Sequence, residues 1–130
     1  MLIIKYSVQI QQKSTEQDLF FEDHDAVVIS DNSYSRIMYR ENEGIDVVLD
    51  ISHDQLSLKR HDEWITHGFF AKDEESYILI NNELGILKFE VEVIEYLIKS
   101  DSVYLQYELK DEKGLISKHE YICRWNRRDE

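Results

Sequence analysis

Proline is absent from this 130-residue sequence, cysteine occurs once and glycine four times. Without proline each strand keeps all of its N–H donors, which suits long uninterrupted ladders. A lone Cys123 excludes an internal disulfide framework and fits a reducing compartment, so the expected location is the cytoplasm. No stretch approaches the ~20 consecutive apolar residues of a membrane helix. Met1 to Lys13 lacks the basic start, the apolar length and the cleavage site of a signal peptide, and it reads as a strand. Positive charge is scarce as well: 15 Lys and Arg stand against 27 Asp and Glu, a formal charge of −12. The one dense basic run, Arg124 to Arg128, is followed at once by Asp129 and Glu130. Such an acidic surface repels nucleic acid and anionic membranes, and neither is an expected partner.

Chemical signatures are equally sparse. The glycines are scattered and form no phosphate-cradling loop. The five histidines, His24, His53, His61, His67 and His119, keep more than four residues apart, and there is no Cys-x-x-Cys. His119 and Cys123 share a strand face, but four residues along a strand span about 13 Å, too far for one ion. No metal and no cofactor is expected. Nothing resembles a strand-to-helix nucleophile elbow.

What is present is period two. In the stretch Tyr34 to Arg60, Ile45, Val47, Leu49 and Ile51 alternate with polar residues, which places them on one strand face. Polar turns at Asn42-Glu43-Gly44 and Ser52-His53-Asp54 separate this run from Ile37 and Tyr39 before it and from Leu56 and Leu58 after it. The same pattern predicts a first strand over Leu2 to Gln12 and a turn over Lys13 to Gln17. A short strand over Leu19 to Glu22 is broken by Asp23-His24-Asp25, and another follows over Ala26 to Ser30. Further on, strands are predicted over Trp64 to Phe70, Tyr77 to Ile80, Leu87 to Val93, Val103 to Leu109 and Leu115 to about Arg127. Gly85 is placed at a positive φ or a bulge. The segment Val91 to Ser100 alternates poorly and reads as strand to Val93, with a short helix as the other reading beyond it. About ten strands with short connections and one buried face predict an all-β fold. Residues 1–130 form a single antiparallel meander β-barrel, with an open sandwich as the alternative.

Four segments carry a family resemblance: Ile37-Met38-Tyr39-Arg40-Glu41, Leu56-Ser57-Leu58-Lys59-Arg60, Gly85-Ile86-Leu87-Lys88-Phe89, and Val103 through Leu109. In these the chain resembles the YwiB-like family of small bacterial proteins, a domain of unknown function. It departs at Asn81-Asn82-Glu83-Leu84-Gly85, where a proline-containing turn is expected. The resemblance implies a calycin-like (lipocalin-like) barrel and no catalytic residue.

Parity supplies one candidate site. If the apolar faces point inward, Glu41 and Arg60 point inward at the same rim, on strands separated by one neighbour and about 9.5 Å apart. Burying Ile65, His67 and Phe69 turns His67 inward as well, and Tyr39 and Tyr107 add hydroxyls. Two readings stay open. Either Arg60 receives a ligand carboxylate or phosphate beside Glu41, His67, Tyr39 and Tyr107, or Glu41 and Arg60 pair and plug the barrel end. On the outer face, Trp64 and Phe70 suggest a partner surface, and Tyr34, Arg36, Met38 and Arg40 form a stripe. Three functions are compatible with this pattern. The first is a non-enzymatic module binding a small ligand at the barrel mouth. The second is a filled barrel acting through its outer sheet, as a homodimer or with a protein partner. The third is a hydrolytic enzyme using Glu41 and His67 as acid–base groups.

Overall fold

The computed structural model describes residues 5–15, 19–41 and 44–127. Ten strands follow one another: β1 (Tyr6–Ser14), β2 (Phe20–Ser30), β3 (Tyr34–Glu41), β4 (Ile45–Ser52), β5 (Gln55–His61), β6 (Ile65–Ala71), β7 (Ser76–Asn82), β8 (Gly85–Lys99), β9 (Ser102–Asp111) and β10 (Gly114–Arg127). Each pairs antiparallel with its neighbours in sequence, and β10 pairs with β1, so the meander closes into a barrel. Closure leaves no open sandwich edge and satisfies both sides of every strand. The expected positions Leu2 to Ile4, Glu16, Gln17, Asn42 and Glu43 lie outside the described residues.

The period-two faces position the core. Val8 and Ile10 of β1, Ile37 of β3, Leu49 and Ile51 of β4, Leu56 of β5, Val103 and Leu105 of β9 and Cys123 of β10 are each at most 1% exposed. The register stacks them across the wall, with Ile37 opposite Leu49, Leu49 opposite Leu58, and Val103 opposite Cys123. Burying a side chain of this size contributes about 1.5–3 kcal/mol.

Three strands differ from the sequence-based expectation. First, β2 runs unbroken through Asp23-His24-Asp25. The three residues continue the alternation, with His24 opposite Val8 on the inner face and the two aspartates between such positions.

Second, the parity of β6 is inverted: Arg60 faces Thr66, Leu58 faces Gly68 and Leu56 faces Phe70. The inward set is therefore Thr66, Gly68 and Phe70, while His67 and Phe69 point out and Trp64 and Ile65 are exposed. Both faces of this strand carry apolar residues, so hydrophobicity could not choose between them. Gly68 is decisive, because a Cβ there would lie 2.8 Å from the Phe70 ring. The ring covers the space that glycine leaves, so the expected outer patch loses Phe70.

Third, β8 continues as strand to Lys99, with no helix, through a bulge between Val93 and Glu95. The extra residue shifts the alternation and turns Tyr96 rather than Glu95 inward. The Tyr96 hydroxyl donates toward the Ser52 and Gln55 carbonyl oxygens, at 2.6 and 2.9 Å, and so ties β8 across one barrel end to the β4–β5 turn. Gly85 opens β8 at φ 132°, the positive-φ position expected of it.

Candidate functional site

The barrel is packed at one end and hollow at the other. The packed end lies beside the β2–β3, β4–β5, β6–β7 and β8–β9 turns and is closed by the core residues and Tyr96. The opposite half holds a cavity of about 490 Å³. Its deeper wall is Val47, Leu56, Leu58, Phe70, Ile78 and Leu105, interrupted by the hydroxyl-bearing Tyr39, Tyr107 and Tyr121. Gly68 lies between Thr66 and Phe70 in this wall, and Gln12, Phe20, Glu22, Glu41, Arg60 and Thr66 complete the lining nearer the β1–β2, β3–β4 and β5–β6 turns.

Glu41 and Arg60 meet at this mouth. Arg60 Nε lies 3.1 Å from Glu41 Oε2, and Nη2 lies 2.9 Å from the same oxygen. Nη1 donates to Asp62 Oδ2 at 2.7 Å. The Glu41 side chain is 16% exposed and that of Arg60 36%. The hydrogen bond to Glu41 is the main cause raising the Arg60 pKa above its ordinary value, with Asp62 adding to it. The Trp64 backbone N–H, and after it Arg60, hold the Asp62 carboxyl below the usual range. That N–H donates to Asp62 Oδ1 at 2.7 Å, which fixes the β5–β6 turn and, through Asp62, the guanidinium.

Tyr39 and Tyr107 line the same cavity. Burial pushes both phenols up, Tyr107 to about 12; the carboxylates of Glu22 and Glu41 act on Tyr39 in the same direction. Tyr107 is clamped between Phe70, at a ring-centroid distance of 4.8 Å, and His119, stacked at 4.8 Å. Such contacts fix the ring and leave its edge as the variable surface.

His67 is not part of this cluster. It sits on the outer wall opposite Lys59 and Leu79, near Ser57 Oγ at 3.3 Å and edge-on to Tyr77. Partial burial and the Lys59 charge lower its pKa. Glu41 and His67 thus lie on opposite faces of the barrel wall and cannot act together on one substrate atom. The expected convergence of Glu41, Arg60 and His67 is corrected to Glu41 and Arg60, joined by Tyr39 and Tyr107. The outer stripe on β3 is paired internally: Arg36 donates to Asp50 at 2.7 Å and Arg40 to Asp46 at 2.9 Å.

Three site residues escaped the sequence reading. Glu22 and His24 face inward, joined at 3.2 Å, with His24 stacked 4.9 Å from Tyr39. The signal was the alternation Phe20, Glu22, His24, Ala26, hidden by reading Asp23-His24-Asp25 as a break. Tyr121 shares the odd-numbered inner face of β10 with Cys123 and Trp125. Its hydroxyl is the buried side-chain polar atom without a hydrogen-bond partner among the described residues. Burial raises its pKa, and that of the adjacent Cys123 thiol to about 12. Among the described residues no group of three or more His, Cys, Asp or Glu could hold a metal ion.

A family model described as a domain of unknown function, DUF1934, matches residues 4–122. The chain belongs to the DUF1934 family. Among solved structures it is similar to the YwiB protein from Bacillus subtilis, with a TM-score of 0.75 over 97% of this chain and 93% of that one. Sequence identity between the two is 7%, so the likeness shows the fold alone and carries no activity across. Both findings agree with the resemblance read from the four strand segments. No curated protein matches the sequence.

Proposed function

We propose that this DUF1934 protein is a non-enzymatic binding module that takes one small ligand into the barrel through the Glu41–Arg60 mouth. The observation that carries the reading is the hollow half of the lumen. Its volume of about 490 Å³ falls inside the range of about 300–1,000 Å³ typical of small-ligand sites. Its walls have the composition such sites share, apolar and aromatic with a few convergent polar groups. Small lipocalin-like barrels hold a single ligand in the same way. Tyr39, Glu41, Arg60 and Tyr107 are the contacting residues, with Glu22 and Tyr121 added to them. A cytoplasmic setting, without nucleic acid or membrane as partner, belongs to the same proposal.

The hydrolytic reading loses its acid–base pair because His67 is outside the barrel. A partner docked on the outer sheet is the second reading, supported by Phe21, Val27 and Ile29 of β2, each more than half exposed. Native mass spectrometry of the full chain, gently purified, separates the two. The lumen reading expects a small-molecule mass on the wild type that is lost in Thr66→Trp, whose indole enters the cavity. A bare dimer in both proteins supports the outer sheet instead.

A further inference from the structure

Resting on the lumen reading, we propose that the ligand is a lipophilic amine, with its ammonium at the mouth and a compact apolar body in the lumen. The charge balance of the mouth is the first argument. Among the described residues Arg60 is the one cationic side chain that lines the cavity, against Glu22 and Glu41. Its guanidinium is held by Glu41 and, from the rim, by Asp62. One positive charge therefore faces three carboxylates. Glu22 is paired with the His24 imidazole and, among the described residues, with no lysine or arginine. An incoming carboxylate or phosphate would meet Glu22 and Glu41 before it could use the remaining Arg60 donors. An ammonium meets two acceptors at the same place.

The Tyr121 hydroxyl is a second and independent sign of an occupant. It is buried, it belongs to the cavity wall, and it has no partner among the described residues. An orphaned buried hydroxyl is costly, and a bound polar atom or its water offsets that cost. The wall itself favours the same sign of charge. The Phe20 and Tyr39 rings line the cavity beside Glu22 and Glu41, and an aromatic face left open there attracts a cation rather than an anion. Deeper in, Leu56, Leu58, Ile78 and Leu105 offer aliphatic surface, which suits an uncharged hydrocarbon body.

The test is a matched series with one phenylbutyl body and three head groups: 4-phenylbutylamine, 4-phenylbutanol and 4-phenylbutyrate. Titration calorimetry on the full chain near pH 7.5 and at low salt should rank them amine, alcohol, carboxylate. The amine should bind about tenfold more tightly than the alcohol, the scale of one charge-assisted hydrogen bond. Glu22→Gln, which keeps a hydrogen-bond acceptor for His24, should bring the amine to the level of the alcohol. Added salt should weaken the amine alone. If the alcohol or the carboxylate binds as tightly as the amine, the charge assignment is overturned and the lumen reading stands. If none of the three binds, or if binding persists in Thr66→Trp, the lumen reading falls and the amine with it. The wild-type ranking decides the matter even if Glu22→Gln does not fold.

Discussion

The two ends of this barrel are built from the same alternating strands and differ in what the inner positions carry. At the packed end the inward positions are mostly aliphatic, with the Cys123 thiol and the Trp125 ring among them, the strands face one another in register, and Tyr96 closes the floor. At the mouth the inward positions become Gln12, Glu22, Glu41, Arg60 and Thr66, and space opens between them. The change occurs along single strands: β3 passes from Ile37 through Tyr39 to Glu41, and β5 from Leu56 through Leu58 to Arg60. The contrast separates stability from recognition in one domain. A core residue is surrounded by partners it cannot replace, whereas a mouth residue trades contacts with a small number of polar neighbours and with whatever enters.

The sharpest way to break that contrast is to open the packed end. Leu49→Ala should lower the unfolding free energy by about 2–5 kcal/mol in urea denaturation, as expected of a fully buried leucine. A loss under about 1 kcal/mol, the scale of a mouth residue, would remove the distinction. At the boundary, Tyr121→Phe should raise the stability of the empty protein by about 1 kcal/mol, because it deletes an orphaned buried hydroxyl and keeps the ring. A clear loss would mean that the hydroxyl is satisfied in solution. At the mouth, Arg60→Ala should cost about 1 kcal/mol or less, since the pair is partly exposed. A cost near that of Leu49→Ala would make Glu41–Arg60 a structural plug.

The smallest effect is outside the barrel. The folded state lowers the His67 pKa below 6.5 through burial and the Lys59 charge. As pH falls through that value, the unfolded chain takes up its proton first, so His67 reduces stability on acidification and contributes nothing above it. Denaturation midpoints measured from pH 7.5 downward should fall less steeply in His67→Asn than in the wild type.

Much of this architecture is legible in the residues. Ile45 to Ile51, Ile37 with Tyr39, and Leu56 with Leu58 have clean alternation, and from their parity the meeting of Glu41 and Arg60 follows. The parity of β6 is illegible because Ile65 and Phe69 match Phe70 in hydrophobicity. What chooses the face is a contact between Gly68 and the Phe70 ring, a tertiary fact. The bulge at Ile94 is hidden for a similar reason: one added residue makes the strand look irregular, and only the floor that Tyr96 closes accounts for it. The hollow lumen leaves no mark in the pattern, because an inward side chain reads alike whether it meets another side chain or empty space.

The central claim is that the mouth half of the lumen is accessible space. Methyl NMR of the full chain under xenon pressure tests it without knowledge of the ligand, since an atom-sized apolar probe enters such cavities. Saturable shifts should appear at Leu56, Leu58, Ile78 and Leu105, spare Ile37 and Leu49 at the packed end, and disappear in Thr66→Trp. Shifts absent from all of these methyls, or spread evenly over both ends, would contradict a hollow lumen and with it the binding function.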